Sequence, residues 1–408
     1  MTAALRVLQT SRGVFTRPTR WQKHVRSFST SLTRSAPAER TLPAIFARGG
    51  TSNGLVLHRH DLPAEDDWHT VLPAAMGSPD PYGRQLNGMG SGISSTSKVI
   101  VLSPPSRPEV ADVDYTFVQV GIKDGVLDKA GNCGNLSSLV GPMGLNEGLV
   151  TEPSLETVDG QTIASVRIFN TNTSKVIVSR FAVEGTPPRY IPHGDYVMDG
   201  VPGTGNRITL RFLDPAGAKT GKALPTGNPV DVLTLEDGST IPASLVDVSN
   251  PGVFVRARDL GLADPDGLTP DIVEADPALK AKLAQIRRAG TSAMGLDPTI
   301  ESVPKIVILF SDTRSPDVDI RCLALSMGQA HKAVPLTLAL CLGASCRIRG
   351  TIGSELLGRS QRKPDGSVVI GHPSGTVDIG TTMGPEGEIV SADLHRTARV
   401  LFTGQVHY

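Results

Sequence analysis

A chain of 408 residues, 39% hydrophobic and 20% charged, has the composition of a soluble globular protein with room for two ordinary domains. No apolar run approaches the roughly 20 residues of a membrane span. Forty basic and forty acidic residues cancel, so net charge gives no general case for nucleic-acid binding. The 43 glycines and 31 prolines require many turns and favour a sheet-rich fold over a helical bundle.

Residues 1–38 carry seven Arg or Lys and no acid, which leaves a net charge of −7 on the remainder. This Arg-, Ser- and Thr-rich, acid-free composition is that of a disordered mitochondrial presequence. Arg26-Ser27-Phe28-Ser29 reads as a matrix-peptidase site cut after Phe28. The expectation is a mitochondrial matrix protein; the alternative is a basic tail without an address, on a cytoplasmic one. Cys133, Cys322, Cys341 and Cys346 form no CxxC pair, so no metal site is expected, and free thiols suit a reducing compartment.

Residues 41–57 read as strand, Gly-rich turn (48–54) and strand, and 61–76 as a helix with acids in its first turn. A Gly/Pro-rich loop (77–92) leads through Ser94-Ser95-Thr96-Ser97 to Lys98, which opens the apolar strand 98–103; residues 112–122 alternate as a second strand. Gly131-Asn132-Cys133-Gly134-Asn135 then precedes an apolar helix. Two strand-like runs follow within 158–182, and a polar tract (183–230) with one strand at 208–212 reads as the crossing between halves. From there the chain repeats itself. Residues 52–63 match 250–261, 98–103 with 112–122 match 305–311 with 317–327, and 131–145 match 328–344. The order is kept over an offset of about 200 residues, which indicates a duplicated domain. A helix at 276–290 is inserted in the second half, a hairpin follows at 359–380, and 394–408 is a short basic helix or strand. The repeat divides the chain into one lobe of 41–200 plus 385–408 and another of 201–384, with central helices starting near Gly134 and Ala330.

Small residues before a helix let backbone approach a ligand, and the helix's first N–H groups attract anions. Two such starts facing one cleft suit an acid with several carboxylates. No dinucleotide fingerprint, phosphate loop or nucleophile elbow is present, which leaves proton chemistry without a cofactor. Cys133 and Lys98 are the candidate proton carriers: a thiol at a helix start and a lysine whose pKa burial would lower. Their structural alternatives are a buried thiol and a strand-edge surface lysine. Ser326-Met327-Gly328, with His331 beyond, takes the place of Cys133 in the second half.

RGGTSNG, GSPDPYGRQLNGMGSGISSTSK, GNCGNLSSLVGP, SMGQAHKAVPLT, IGHPSG and RTARVLFTG together resemble the PrpF family across about 44–405. The resemblance implies an α+β fold like that of diaminopimelate epimerase: two pseudo-symmetric lobes, each a β-barrel-like sheet around a central helix. It implies cofactor-free isomerisation of small unsaturated acids such as aconitate or 2-methylaconitate, with the active-site lysine at Lys98 and the shared cysteine at Cys133. Substrate contacts are then expected from Ser94, Ser95, Thr96, Ser97, Asn132, Gly134, Asn135, Ser326, Met327, Gly328 and His331. Asn53 stands where relatives commonly have lysine. Alternatives are an isomerase of alkylated itaconate- or citrate-derived acids, and a non-catalytic accessory to an aconitase-like dehydratase. No nucleic-acid or membrane partner is expected, and a homo-oligomer is left open.

Overall fold

The computed structural model describes residues 40–129, 132–262, 267–301, 303–311, 315–357 and 366–408. The presequence reading and part of the 359–380 hairpin lie outside these residues. The principal strands are β1 (Thr41–Gly49), β2 (Ser52–His58), β3 (Lys98–Ser103), β4 (Val113–Val120), β5 (Gln161–Asn170), β6 (Lys175–Glu184), β7 (Ile208–Leu213), β8 (Asp231–Thr234), β9 (Thr240–Val248), β10 (Asn250–Arg256), β11 (Lys305–Phe310), β12 (Ile320–Ser326), β13 (Val368–His372), β14 (Gly375–Met383), β15 (Ile389–Arg396) and β16 (Ala398–His407). The main helices are α1 (Trp68–Met76), α2 (Gly134–Asn146), α3 (Pro277–Ala293) and α4 (Leu336–Arg347).

Strand pairing states the duplication directly. From β1 to β7 the neighbours pair antiparallel, parallel, antiparallel, parallel, antiparallel, antiparallel. From β9 to β15 the same series recurs. β7 and β15 pair with each other and join the two sets. Beyond each seventh strand the chain crosses over: β8 adds to β9 and β16 adds to β1. Each set wraps its own helix, α2 inside β1–β7 and α4 inside β9–β15. β7 covers α2 and β15 covers α4, so we propose lobe boundaries at the ends of these strands, about 214 and 397, rather than at 200/201 and 384/385.

The apolar runs KVIVLS and KIVILF form β3 and β11, which are covered on both faces, as parallel-paired strands usually are. Ile100 and Leu102 face α2, whereas Val99 and Val101 face outward onto α1. Val307 and Leu309 face α4, whereas Ile306 and Ile308 face α3. The inner residues of both sets belong to one continuous core, with an outer helix layer on each side.

Several sequence expectations change. The helix expected over 61–76 is confined to Trp68–Met76, behind short 3-10 turns at Arg59–Asp61 and Glu65–Asp67, because Pro63 interrupts it. α4 begins at Leu336 rather than near Ala330. Gln329 and Ala330 fold back onto β12, and Pro335, which has no N–H to give, precedes the first turn. The C-terminal stretch is strand, and β8 and β9 were not among the sequence expectations. The repeat is also two residues out of step in β4. Asp112 and Asp319 are the equivalent pair, each binding the N–H of its partner strand through a carboxylate oxygen, at 2.7 and 2.8 Å.

Each central helix approaches its sheet through a glycine at the same place. A Cβ on Gly141 would lie 2.5 Å from Ser179 Oγ on β6, and one on Gly343 would lie 2.4 Å from Ile379 Cγ2 on β14. Ile379 is β-branched and cannot rotate away. Gly343→Ala is therefore expected to cost about 1–3 kcal/mol by overpacking, against at most about 1 kcal/mol gained from alanine's helix preference. A urea midpoint equal to that of the parent would show that the sheet can yield here.

Candidate active site

The two central helices meet start to start. A Cβ on Gly134, the first residue of α2, would lie 3.2 Å from Leu336 Cδ1, the first residue of α4. No side chain caps α2, so its first-turn N–H groups are available to a bound anion. The residues before it are pinned from below. Asn132 Oδ1 accepts from Tyr115 Oη at 3.2 Å and from Ser137 Oγ at 3.0 Å, and the Cys133 carbonyl accepts from Ser137 N at 2.9 Å. Burial raises the Tyr115 hydroxyl to about 12, so it stays a donor. Cys133 itself is half-buried, in extended backbone.

Lys98 opens β3 opposite Gln119 on β4 and is 9% exposed. Its ammonium lies 5.3 Å from the Phe117 ring centroid and donates to Gln119 Oε1. Phe117 and Gln119 share one face of β4 because side chains alternate along a strand. Gln119 Nε2 donates to the carbonyls of Ser94 (3.1 Å) and Ser97 (2.8 Å), so one side chain holds both the lysine and the turn before it. Burial lowers the Lys98 pKa, and its interaction with Cys133 opposes the shift. Lys98 and Cys133, 35 positions apart in sequence, therefore sense each other across the start of α2.

The structure separates the other expected residues by what their side chains already do. Ser97 is buried; its Oγ donates to the Val120 carbonyl (2.9 Å) and accepts from Gln85 Nε2 (2.7 Å). Thr96 Oγ1 donates to Ile93 O, and Asn132 Oδ1 accepts as described, so the scaffold already engages part of each of these three side chains. The Ser94 and Ser95 hydroxyls make no hydrogen bond to another described residue. Asn135 Nδ2 donates to Thr51 Oγ1 at 3.0 Å, which ties α2 to the β1–β2 turn. Gly50 in that turn has φ +54, and a Cβ there would come within 2.1 Å of Asn135 Oδ1, so only glycine fits.

Ser326, Met327 and Gly328 do not hold the place of Cys133. Ile306 faces Leu325, so Ser326 stands opposite Lys305 as Gln119 stands opposite Lys98. Met327 (φ 50) and Gly328 (φ 70) form the tip of a two-residue hairpin, and Met327 is 63% exposed. The residue matching Cys133 is Pro335, directly before α4. His331 lies between that hairpin and α4; burial and Lys305 both lower its pKa and keep it neutral.

Four further residues fall inside the family motifs, which assign them no role. Gln85, fully buried, binds Ser78, Ser97 and the Gly92 N–H and so organises the 77–92 loop. Arg396 ends β15 and donates through Nε to Asn135 Oδ1 at 3.0 Å; Cys133 acts on its charge. His372, at the β13–β14 turn, is acted on by Asp199 and Arg396, and burial lowers its pKa. Ser374 in the same turn donates through N and Oγ, each at 2.9 Å, to the Lys332 carbonyl and fixes the approach to α4. A cavity of about 230 Å³ opens beside the junction of the helices, between Asn132 and Thr337. A cavity of about 390 Å³ lies apart from Lys98 and Cys133, against β5 to β7. Among the described residues no three His, Cys, Asp or Glu side chains group as metal ligands.

The profile of the PrpF protein family matches residues 39–408. A (4E)-oxalomesaconate Delta-isomerase from Novosphingobium sp. (strain KA1) is 37% identical, over 89% of this chain and 96% of its own. A 2-methyl-aconitate isomerase from Cupriavidus necator is 34% identical, over 90% and 96%. A crystal structure of methylitaconate-delta-isomerase superposes with a TM-score of 0.79 at 36% identity, covering 90% of this chain and 96% of the other. By this match over residues 39–408 and these identities over most of both chains, the chain belongs to the PrpF family.

Proposed function

We propose that this protein is an isomerase that moves a C=C double bond in a small unsaturated tri- or dicarboxylic acid, of the aconitate or 2-methylaconitate type, by removing and returning one proton. The observation that carries this reading is a lysine, Lys98, buried against Phe117 and Gln119, together with Cys133 directly before the uncapped start of α2. Relatives named as isomerases of 2-methyl-aconitate, (4E)-oxalomesaconate and methylitaconate support it. Removing an allylic proton next to a carboxylate needs a base that is partly neutral and donors for the charge that develops. Burial makes Lys98 a better base by lowering its pKa, and the first N–H groups of α2 offer the donors. Lys98 removes the proton. Cys133, on the other side of the reacting carbon, positions the substrate through the helix start and assists proton return. No cofactor takes part in this scheme, since both proton carriers are side chains.

Lys98→Met is expected to lower turnover of 2-methylaconitate or cis-aconitate roughly 10²–10⁴-fold. Cys133→Ser should keep measurable activity, because serine leaves the helix-start donors in place. Deuterium uptake from D₂O into substrate assigns the base. If Cys133→Ser abolishes uptake while Lys98→Met exchanges freely, the thiolate is the base; if neither variant nor the parent turns over any unsaturated acid, the accessory reading replaces this one.

The pH dependence has a definite sign. Neutral lysine is the reactive form, and a lowered pKa enlarges that fraction at any given pH. Activity should rise with pH along a limb centred below 10.5, the value for free lysine, and Lys98→Met should lose the limb. A limb centred at or above 10.5 contradicts the assignment of Lys98.

The acid-free segment 1–38 precedes the family match, and we propose that it directs the protein to mitochondria. N-terminal sequencing of protein from its native cells should begin after Phe28. An intact N-terminus on cytosolic protein refutes this.

A further inference from the structure

Among the described residues, Arg396 is a buried cation without an anion. It is 7% exposed, its Nε is held by Asn135 Oδ1 at 3.0 Å, and its Nη1 donates to the His395 carbonyl at 2.6 Å. Among the described residues no Asp or Glu pairs with it, and Nη2 has no partner. Arg256, buried to a similar degree at 8%, is paired with both Asp259 and Glu355. An isolated charge is costly to bury, and such groups are ordinarily paired. Burial brings the Arg396 guanidinium only to about 10, so it remains charged at neutral pH.

The bonds that Arg396 does make aim it. Nε is tied to the first turn of α2 through Asn135, and Thr51 holds Asn135 from the other side. The remaining donor therefore lies beside the helix start that Cys133 precedes. We infer that Arg396 anchors a substrate carboxylate that takes no part in the reaction, with the first-turn N–H groups of α2 as its second contact; this rests on the isomerase reading above. An arginine suits the role because its planar fork binds a carboxylate in one orientation.

Among the described residues the first half of the molecule, β1–β7, has no equivalent anchor. Ser179 pairs with Leu210, and Ile379 pairs with Leu394; two residues further along each strand stand Phe212 and Arg396. The duplicated site is thus cationic on one side and aromatic on the other. A substrate with chemically different ends is bound in one direction, which sets which carbon meets Lys98.

The test uses propane-1,2,3-tricarboxylate, a saturated acid that cannot isomerise, and follows the thermal midpoint of the full chain together with turnover of 2-methylaconitate. The parent should be stabilised by the tricarboxylate. Arg396→Met should unfold at or above the parent's midpoint when free, since it removes an unpaired buried charge, and should lose the ligand-induced rise. Its KM should increase roughly 10- to 100-fold, with a smaller change in kcat. If Arg396→Met lowers the free midpoint yet keeps the ligand-induced rise and the parental KM, Arg396 is a structural pin and the inference is overturned. Should Arg396→Met fail to fold, Arg396→Lys decides: a raised KM at an unchanged midpoint supports the anchor, and an unchanged KM overturns it. Lys98→Met should still be stabilised by the tricarboxylate. If the parent turns over no unsaturated acid but binds the tricarboxylate only when Arg396 is present, the isomerase reading fails and the anchor stands.

Discussion

A helix enclosed by a curled sheet has to leave its first N–H groups somewhere. Within the sheet they would be buried without acceptors, at a cost comparable to losing hydrogen bonds. Here each sheet opens at the start of its helix, and the two openings face each other, with Gly134 against Leu336. The rest of the molecule follows from that constraint. The sheets must close tightly on the helix flanks, which is why glycine occupies equivalent positions in α2 and α4. The only uncapped donors of α2 then lie where the lobes meet, with Cys133 before them and Lys98 beside them.

The two lobes keep the same strand series and differ in chemistry at the junction. Lobe one offers cysteine before its helix where lobe two offers proline, and Gln119 beside Lys98 where lobe two has Ser326 beside Lys305. A symmetric scaffold with an asymmetric lining is suited to an acid whose two faces must be treated differently. Return of β16 to pair with β1 of lobe one stitches the halves together, and β7 pairs with β15 across the boundary. Rigid pairing on both sides of the junction keeps the groups around α2 at fixed distances, as proton transfer requires.

Positioning is carried largely by neutral polar side chains. Gln85 and Gln119 hold the loop and turn that lead to Lys98, and Tyr115 with Ser137 holds the loop that carries Cys133. A carboxylate in any of these places would pair with the nearby cation, raise the lysine pKa and repel an acidic substrate. Amides and hydroxyls satisfy the buried backbone without changing the charge of the site. The cations are thereby left free to act on what binds.

The sequence determined the element types and the duplication. Apolar alternation marks β4, the unbroken runs mark β3 and β11, and block order reveals the repeat, because these are local patterns with fixed periods. It also marked Lys98 and Cys133, since a lysine at a strand mouth and a cysteine between small residues are unusual locally, and the family motifs fall on both. Register between the halves was beyond it. The loop after β4 is longer than the two-residue turn after β12, so matching by composition placed Ser326-Met327-Gly328 on Cys133 when Pro335 stands there. Arg396 opens the motif RTARVLFTG, but nothing local separates it from Arg399 or gives it a role. Only tertiary structure buries it, denies it a carboxylate and turns it toward α2, because those facts depend on residues as distant as Asn135 and Thr51.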